Sequence, residues 1–427
     1  MEQKLTADSP AAPEVRWPRP DYSRVPYRLY HDRALYELEQ ERIFKGPVWN
    51  YVALEAEIPN PGDFRTRTLG ETPVIVNRAQ DGSIHAMVNR CAHRGALVRR
   101  ETRGNAKDHT CIYHKWCYGL DGGLIGVPFR RGLRGQGGMA PDFDTAEHGL
   151  QRLRVESYRG VIFASFRREL EPLADYLGPV FTRHIDRLFA KPIRILGYQR
   201  QRIMGNWKQY AENTRDTYHG SLLHEFQSTF GLSRVTQTGG VTMDARHRHN
   251  LAWSKLGTDD EAEFSALYKD NKVHDSKLRL EEPSMVKFHR EFGDGTSLAI
   301  CSIFPNLTLH QISNSLGARQ LRTFGPDEFE LVFTLFGYEG DSEEMTRHRL
   351  AQANFVGPAG LVSMEDGEAI EITHRASAGE REACSVIEMG GGGEIQSLEH
   401  RVNDVPVRGF WSYYAELMGI EPEGAVR

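Results

Sequence analysis

Two short pairs of cysteine and histidine constrain this chain more than any other feature of its sequence. They are Cys91-Ala-His93 and Cys111-Ile-Tyr-His114, with 17 residues between them. A spacing of one or two residues places both side chains of a pair on one tight turn. Two such turns at the tips of neighbouring hairpins can hold a single metal centre, so the sequence predicts a small β-rich module built around metal.

Two kinds of metal centre fit these four side chains. A Zn²⁺ ion would use two Cys and two His tetrahedrally, whereas a Rieske [2Fe–2S] cluster uses two Cys on one iron and two His on the other. Each pair here mixes one Cys with one His, so each turn supplies a ligand to both irons. The flanking Arg94-Gly95, Tyr113 and Trp116 are typical of loops that cover a cluster. The pattern favours the cluster, with zinc as the alternative.

The composition excludes several classes of protein. Five cysteines in 427 residues are too few, and odd in number, for a disulfide scaffold, so Cys117, Cys301 and Cys384 are expected to be free thiols. A net charge of −5 argues against a nucleic-acid-binding surface. Apolar runs such as Leu331–Phe336 fall far short of the roughly 20 residues that cross a bilayer. The N-terminus has no apolar signal segment, and we expect a cytoplasmic protein.

The periodicity of apolar residues indicates an α+β fold in two domains behind an N-terminal segment. Residues 1–45 are predicted to form an arm and a helix that packs on the catalytic domain, and residues 46–167 the β-rich module. A hairpin is predicted at Thr72–Asn77 and Ile84–Asn89, around Asp81-Gly82. Residues 168–427 are predicted to form a larger domain with an antiparallel sheet covered by helices. Its helices are expected near 180–188, 207–218 and 342–356, and its strands near 307–312 and 329–336.

A second group of metal-binding side chains lies in the larger domain. Asp216, His219 and His224 follow the apolar positions of the helix predicted from Trp207. Five residues separate the two histidines, which would put them about 140° apart on a regular helix. A break near Gly220 would bring them together, and two His with one carboxylate form the facial triad of Fe(II) oxygenases. Other histidines, including His247 and His249, have no such partner and are expected to be solvated.

The strings Cys-x-His-Arg-Gly and Cys-x-Tyr-His-x-Trp resemble the Rieske domain of aromatic-ring-hydroxylating oxygenases. Asp-x-x-His-x-x-x-x-His at 216–224 and Gly-Pro-Ala-Gly at 357–360, followed by the acidic pair Glu365-Asp366, are similar to the catalytic domain of the large (alpha) subunits. The resemblance spans residues 25–417. One departure is Lys115, where the family commonly has Gly, and a cation there would lie beside the cluster.

This resemblance implies a role for each matching residue. Cys91, His93, Cys111 and His114 would hold the cluster, and His219, His224 and Asp366 a mononuclear Fe(II), with Glu365 and Glu368 as alternatives to Asp366. Asp216 would bridge the two centres instead of binding iron. Its carboxylate would accept N–H bonds from a ligand histidine on either side.

The resemblance also implies partners. The chain lacks both a dinucleotide-binding glycine motif and an all-cysteine ferredoxin pattern, so electrons would come from a separate reductase, with or without a ferredoxin. In the family, electrons cross from the cluster to the iron of a neighbouring subunit. A homotrimer, or an α₃β₃ hexamer with a small beta subunit, is therefore expected.

Strings between the metal motifs, such as Gly126-Val-Pro-Phe129 and Val386-Ile-Glu-Met-Gly390, look like the large subunits that act on substituted benzoates: anthranilate dioxygenase, salicylate 5-hydroxylase and terephthalate dioxygenase. The resemblance implies that the chain hydroxylates the ring of a benzoate-type acid with O₂. The first candidate reaction is the conversion of anthranilate to catechol. A benzoate carboxylate calls for a buried cation, ideally a bidentate Arg. Arg319 and Arg408 are the candidates. The alternative of another class is an electron-transfer iron–sulfur protein without oxygenase activity.

Overall fold

The computed structural model describes residues 15–269 and 277–424. The strands, in chain order, are β1 Arg24–Pro26, β2 Asn50–Leu54, β3 Asp63–Leu69, β4 Thr72–Arg78, β5 Ile84–Val88, β6 Arg103–Asn105, β7 His109–Thr110, β8 Cys117–Tyr118, β9 Leu124–Gly126, β10 Arg154–Tyr158, β11 Val161–Ser165, β12 Ile193–Ile203, β13 Gly239–Met243, β14 Asn250–Ser254, β15 Leu298–Ile303, β16 Leu307–Ile312, β17 Ser315–Thr323, β18 Phe329–Tyr338 and β19 Cys384–Val386. The α-helices are α1 Arg28–His31, α2 Arg33–Glu39, α3 Leu173–Leu188, α4 Trp207–Asn213, α5 Glu225–Thr229, α6 Glu261–Tyr268, α7 Glu343–Val356, α8 Ser363–Ser377 and α9 Val405–Met418.

The described residues divide into two compact units, one of residues 44–173 and one of residues 15–43 with 174–424. The smaller unit contains three antiparallel sheets, ordered β5-β4-β3-β6, β10-β11-β2 and β7-β8-β9. The predicted hairpin is present, because β4 pairs antiparallel with β5 on either side of Asp81-Gly82. Apolar side chains of these strands fill its interior, including Val74, Val76 and Ile162.

A single seven-stranded antiparallel sheet dominates the larger unit, in the order β12-β18-β17-β16-β15-β14-β13. Helix α7 packs against β17 and β18, and α8 packs against β12 and α4. The prediction of an α+β fold, with a β-rich module and a helix-covered antiparallel sheet, is therefore confirmed. Among the helices of the described residues, none combines the length and the apolar character needed to cross a membrane.

Three details refine the expectations from sequence. The helix that begins at Trp207 ends at Asn213, so Asp216 lies beyond it. The prediction that His249 is solvated is wrong, because its ring is fully buried. His249 Nε2 contacts the carbonyl oxygen of Tyr176, and its Nδ1 accepts a hydrogen bond from the backbone N–H of Phe304. For the predicted N-terminal arm, residues 1–14 lie outside the described residues.

Candidate metal centres and active site

Two turns of the same backbone design carry the first set of candidate ligands. The N–H of Gly95 donates to the carbonyl of Cys91, and the N–H of Lys115 donates to the carbonyl of Cys111, at 2.9 and 3.0 Å. Each turn is closed by a second bond, from the Cys91 N–H to Ala96 and from the Cys111 N–H to Trp116. The two predicted pairs therefore lie on matching loops.

The four side chains of these loops converge with the sulfurs inside and the imidazoles outside. Cys91 and Cys111 are buried free thiols, whereas His93 and His114 are half-exposed, with ring centroids 4.5 Å apart. Trp116 stacks on the His93 ring at 4.9 Å. The Nδ1 atom of His93 is buried and has no hydrogen-bond partner among the described residues. Burial raises the pKa of the Cys111 thiol, a cost that binding to a metal would remove. This donor set fits a [2Fe–2S] cluster with mixed ligation.

Lys115, where the family commonly has Gly, also affects the backbone conformation of its turn. Gly95 and Lys115 occupy equivalent positions of the two turns, with φ of +74° and +58°. Glycine adopts this left-handed region freely, whereas a side chain there costs roughly 1 kcal/mol. Lys115 therefore places an exposed cation next to His114 at the expense of some backbone strain.

The break that the second set of ligands requires begins directly after α4. Asn206 caps α4 with its side chain. The chain then leaves the helix at Thr214, forms a short 3₁₀ turn at His219–Ser221, and enters α5 just after His224. Asp366 comes from α8, about 140 residues further along the sequence. The interruption predicted near Gly220 begins earlier, after Asn213, so neither histidine lies in α4. The two imidazoles come together, with their ring centroids 5.4 Å apart.

His219, His224 and Asp366 converge so that their ligand atoms lie within 4.8 Å of one another. The Nε2 atoms of the two histidines lie 3.4 and 3.3 Å from the same oxygen, Asp366 Oδ1. Asn213 Nδ2 donates to this oxygen at 3.0 Å. Two imidazoles and one carboxylate on one side of a shared point fit a mononuclear Fe(II). Glu368 is exposed on α8 and is not part of this group.

The opposite nitrogens of the two rings each face a second carboxylate. Glu365 Oε2 lies 2.6 Å from His224 Nδ1, and Asp216 Oδ2 lies 3.3 Å from His219 Nδ1. A hydrogen-bonded partner such as Glu365 orients a ligand imidazole and sets its tautomer, whereas Asp216 lies near His219 Nδ1 without a hydrogen bond between them. Of the three neighbouring acids at 365–368, geometry thus gives Asp366 the position between the rings and Glu365 the position behind one of them.

Negative charge accumulates around the two imidazoles. Burial lowers the pKa of His219, but the carboxylates of Asp216 and Asp366 outweigh it and raise that pKa to about 10. Burial raises the pKa of Asp366, and the neighbouring rings of His219 and His224 reverse this to well below its usual range. The group therefore favours a bound cation, in the form of a proton or a metal ion.

A cavity of about 80 Å³ opens beside these residues. Its apolar wall comes mainly from one face of the sheet: Ala252 on β14, Leu298 and Ile300 on β15, Ile312 on β16, together with Val362 before α8. The side chains of Asn213, Asp216, His219, His224 and Asp366 line it on the other side. An aliphatic face opposite a polar face suits a small molecule that has both an apolar body and a polar group.

Arg319, one of the two predicted carboxylate anchors, lines this cavity. It lies on β17 and is 4% exposed, and its Nε donates to His310 Nδ1 at 3.3 Å. Its Nη2 is buried without a hydrogen-bond partner, and no carboxylate of the described residues pairs with it. Gly317 makes room for this arrangement, since a Cβ there would overlap the His310 ring. The Arg319 guanidinium thus lies at the cavity wall over the Phe333 ring, 5.0 Å from its centroid, with no carboxylate partner among the described residues.

The other predicted anchor, Arg408, is not among the residues that line the cavity. It is fully buried on α9, and its two terminal nitrogens donate to the carbonyl oxygens of Gly393 and Gly391 at 3.1 Å each. Arg401, which sequence reasoning missed, does line the cavity. Its Nη1 and Nη2 bind Arg234 O and Ser233 Oγ, and its Nε has no partner. Burial lowers its pKa to about 10. No motif or periodicity marks Arg401 in the sequence.

Comparison with known proteins agrees with this geometry. Residues 48–137 match the model of the Rieske [2Fe-2S] domain, and residues 182–419 match that of the ring hydroxylating alpha subunit (catalytic domain). The chain is 48% identical over 410 residues to the anthranilate 1,2-dioxygenase large subunit of Burkholderia cepacia, covering 96% of each chain. It is 44% identical to the alpha 2 subunit of the terephthalate 1,2-dioxygenase terminal oxygenase component of Comamonas sp, covering 95% of this chain and 98% of that one.

A third relative is the large oxygenase component of salicylate 5-hydroxylase from Ralstonia sp, at 42% identity over 98% of this chain and 99% of that one. Among solved structures, naphthalene 1,2-dioxygenase from Rhodococcus sp. bound to indole superimposes with a TM-score of 0.76 at 25% identity, covering 92% of this chain and 94% of that one. The match of both domains in one chain decides against an electron-transfer protein and against zinc in the cysteine–histidine module. The chain belongs to the alpha subunits of the Rieske ring-hydroxylating oxygenases, which combine a [2Fe–2S] cluster with a mononuclear iron.

Proposed function

We propose that this chain is the oxygenase component that hydroxylates the ring of a benzoate-type acid, with anthranilate, converted to catechol, as the first candidate substrate. The observation that carries the proposal is the buried Arg319, whose Nη2 has no hydrogen-bond partner among the described residues, at the wall of the cavity beside His219, His224 and Asp366. The identity to an anthranilate 1,2-dioxygenase large subunit supports the choice of acid.

In this proposal Cys91, His93, Cys111 and His114 hold the cluster, and His219, His224 and Asp366 hold the iron. When bound, the cluster supplies single electrons and the iron supplies a site for the activation of O₂. A separate reductase, with or without a ferredoxin, delivers the electrons, and the chain works as a homotrimer or with a small beta subunit. Asp216 connects the two centres by holding a ligand imidazole.

The remaining side chains bind and orient the substrate. Arg319 Nη2 would donate to the carboxylate of the substrate, because a charge-assisted hydrogen bond is strong where water is excluded. The aliphatic wall of Ile300 and Ile312 would pack on the ring and exclude water. Asn213 holds Asp366 Oδ1 in place, which keeps the carboxylate directed between the two histidines.

A second candidate is a benzene dicarboxylate such as terephthalate. The specific observation in its favour is Arg401, a second buried guanidinium in the same wall with an unpaired Nε and no acidic partner among the described residues. A monocarboxylate needs one such cation. Salicylate, hydroxylated once, is the third candidate, supported by the 42% identical relative.

Reconstitution with a reductase and NADH tests these candidates directly. Oxygen uptake and product mass would be measured with anthranilate, salicylate and terephthalate. Anthranilate should give catechol with release of ammonia and CO₂, whereas terephthalate should give a dihydrodiol that retains both carboxylates. Asp366→Ala should keep the Rieske EPR signal while losing iron and turnover. Uptake of O₂ without an organic product for every acid in the panel would refute the proposal.

A further inference from the structure

A second cluster of metal-binding side chains lies in the larger unit, apart from the residues of the iron site. It consists of His31 at the end of α1, Asp327 between β17 and β18, and His374 near the end of α8. The ligand atoms of these three residues lie within 4.8 Å of one another. Both histidines are buried, whereas the Asp327 side chain is 63% exposed and so leaves a path to solvent.

Hydrogen bonds fix which nitrogen of His374 carries hydrogen. Gln209 Oε1 accepts a bond from the backbone N–H of Asn206 at 2.9 Å, which establishes that the amide oxygen is at this position. The same oxygen lies 3.1 Å from His374 Nδ1, so Nδ1 must be the donor. In the neutral ring, the lone pair is then on Nε2, and this atom faces Asp327 Oδ1 at 3.1 Å.

His31 contacts the same helix. Its Nε2 atom lies 2.9 Å from Ser377 Oγ, which is also within hydrogen-bond distance of the carbonyl oxygens of Thr373 and His374. The rings of His31 and His374 lie with their centroids 4.3 Å apart.

Ligand atoms of two imidazoles and one carboxylate therefore lie close together. Each imidazole also has a polar side chain at one of its nitrogens, Ser377 Oγ at His31 and Gln209 Oε1 at His374. Partners of this kind orient ligand histidines around metals.

We propose that His31, His374 and Asp327 form a second metal site that binds a divalent ion of the Zn²⁺ class and joins α1 to α8. Imidazole with carboxylate suits borderline ions such as Zn²⁺, whereas Ca²⁺ and Mg²⁺ prefer all-oxygen sites. Water would complete the coordination on the exposed side of Asp327. Because α8 also carries Asp366, the ion would stabilise the helix that supports the iron site.

Zinc titration of the full chain, with cluster and iron already loaded, tests the proposal. Competition against a chromophoric chelator should give one Zn²⁺ per chain beyond the iron, with iron content and turnover unchanged. Asp327→Ala should weaken this binding by at least about 10-fold, and it removes a side chain that is 63% exposed. His374→Ala should abolish the binding. Asp142→Ala, which removes another exposed carboxylate, is the matched control.

Thermal unfolding provides a second measurement. Zn²⁺ should raise the Tm of the parent chain and of Asp142→Ala, because binding to the folded state alone stabilises it. At the same zinc concentration it should raise the Tm of Asp327→Ala by less. Equal zinc affinity in Asp327→Ala and the parent chain would overturn the proposal. So would extra zinc that enters only by displacing iron, which the iron content would reveal.

Discussion

Replacement of Arg319 by Gln tests the carboxylate anchor, and the structure allows its size to be worked out. The guanidinium is 4% exposed and has an unpartnered Nη2 in the cavity wall. Truncating one partner of a desolvated charge pair costs about 2–5 kcal/mol. Taking about 2–4 kcal/mol here, kcat/KM for the aromatic acid should fall by about 30- to 900-fold. Most of the change should be a rise in KM, since the carboxylate is remote from the atoms that react.

The assay measures product formation with the acid and with its neutral amide analogue, so that charge is separated from shape. Arg319→Gln should affect the amide less than the acid. Arg408→Gln is the matched control, because Arg408 is equally buried but binds only the carbonyls of Gly391 and Gly393. It should leave KM within a factor of about two. If Arg319→Gln lowered kcat/KM equally for the acid and the amide, or if Arg408→Gln raised KM as much as Arg319→Gln, Arg319 would not be the carboxylate anchor.

Three further perturbations test other parts of the structure. Asp216→Asn should leave both metal centres loaded but slow single-turnover oxidation of a pre-reduced cluster by about 10- to 100-fold, and an unchanged rate would contradict the bridging role. Lys208→Met should lower the free energy of unfolding by about 3–5 kcal/mol, because the buried Glu39 carboxylate, 2.6 Å from Lys208 Nζ, would lose its cationic partner. The double variant with Glu39→Gln should recover much of this loss. Burial raises the pKa of Glu212 from 4.5 to about 7. The contribution of Glu212 to folding stability is therefore complete below pH 4.5 and is lost as the pH rises through 7. Tm measurements should show Glu212→Gln to be up to about 3 kcal/mol more stable than the parent chain at pH 8 but not at pH 4.

The metal motifs were accessible from sequence because they are local. A Cys and a His one or two residues apart must lie on one turn, so Cys91-Ala-His93 and Cys111-Ile-Tyr-His114 carry their geometry with them. The hairpin around Asp81-Gly82 and the strand at Leu307–Ile312 follow from short-range alternation and turn chemistry. The five-residue spacing of His219 and His224 likewise indicated that no regular helix runs through both residues, and α4 ends before them, at Asn213.

Long-range packing decided the features of the site that local patterns in the sequence do not predict. His249 was predicted to be solvated because the sequence shows no matching partner for it, but its partners come from elements that lie far away in the sequence, and they bury it. The three acids at 365–368 are equivalent in sequence until the rotation of α8 turns Asp366 between two imidazoles and Glu365 behind one of them.

The arginines show the same difference between what the sequence predicts and what packing decides. Arg319 and Arg408 were indistinguishable as charges in the sequence, whereas in the fold only the strand register of β17 brings one of them to the cavity. Arg401 reaches the same wall from a segment that carries no recognisable pattern. Local spacing, together with the family motifs, thus indicated which metals the chain can hold and the class of its chemistry. The faces presented by distant helices and strands, which depend on tertiary packing, determined which side chains surround the cavity.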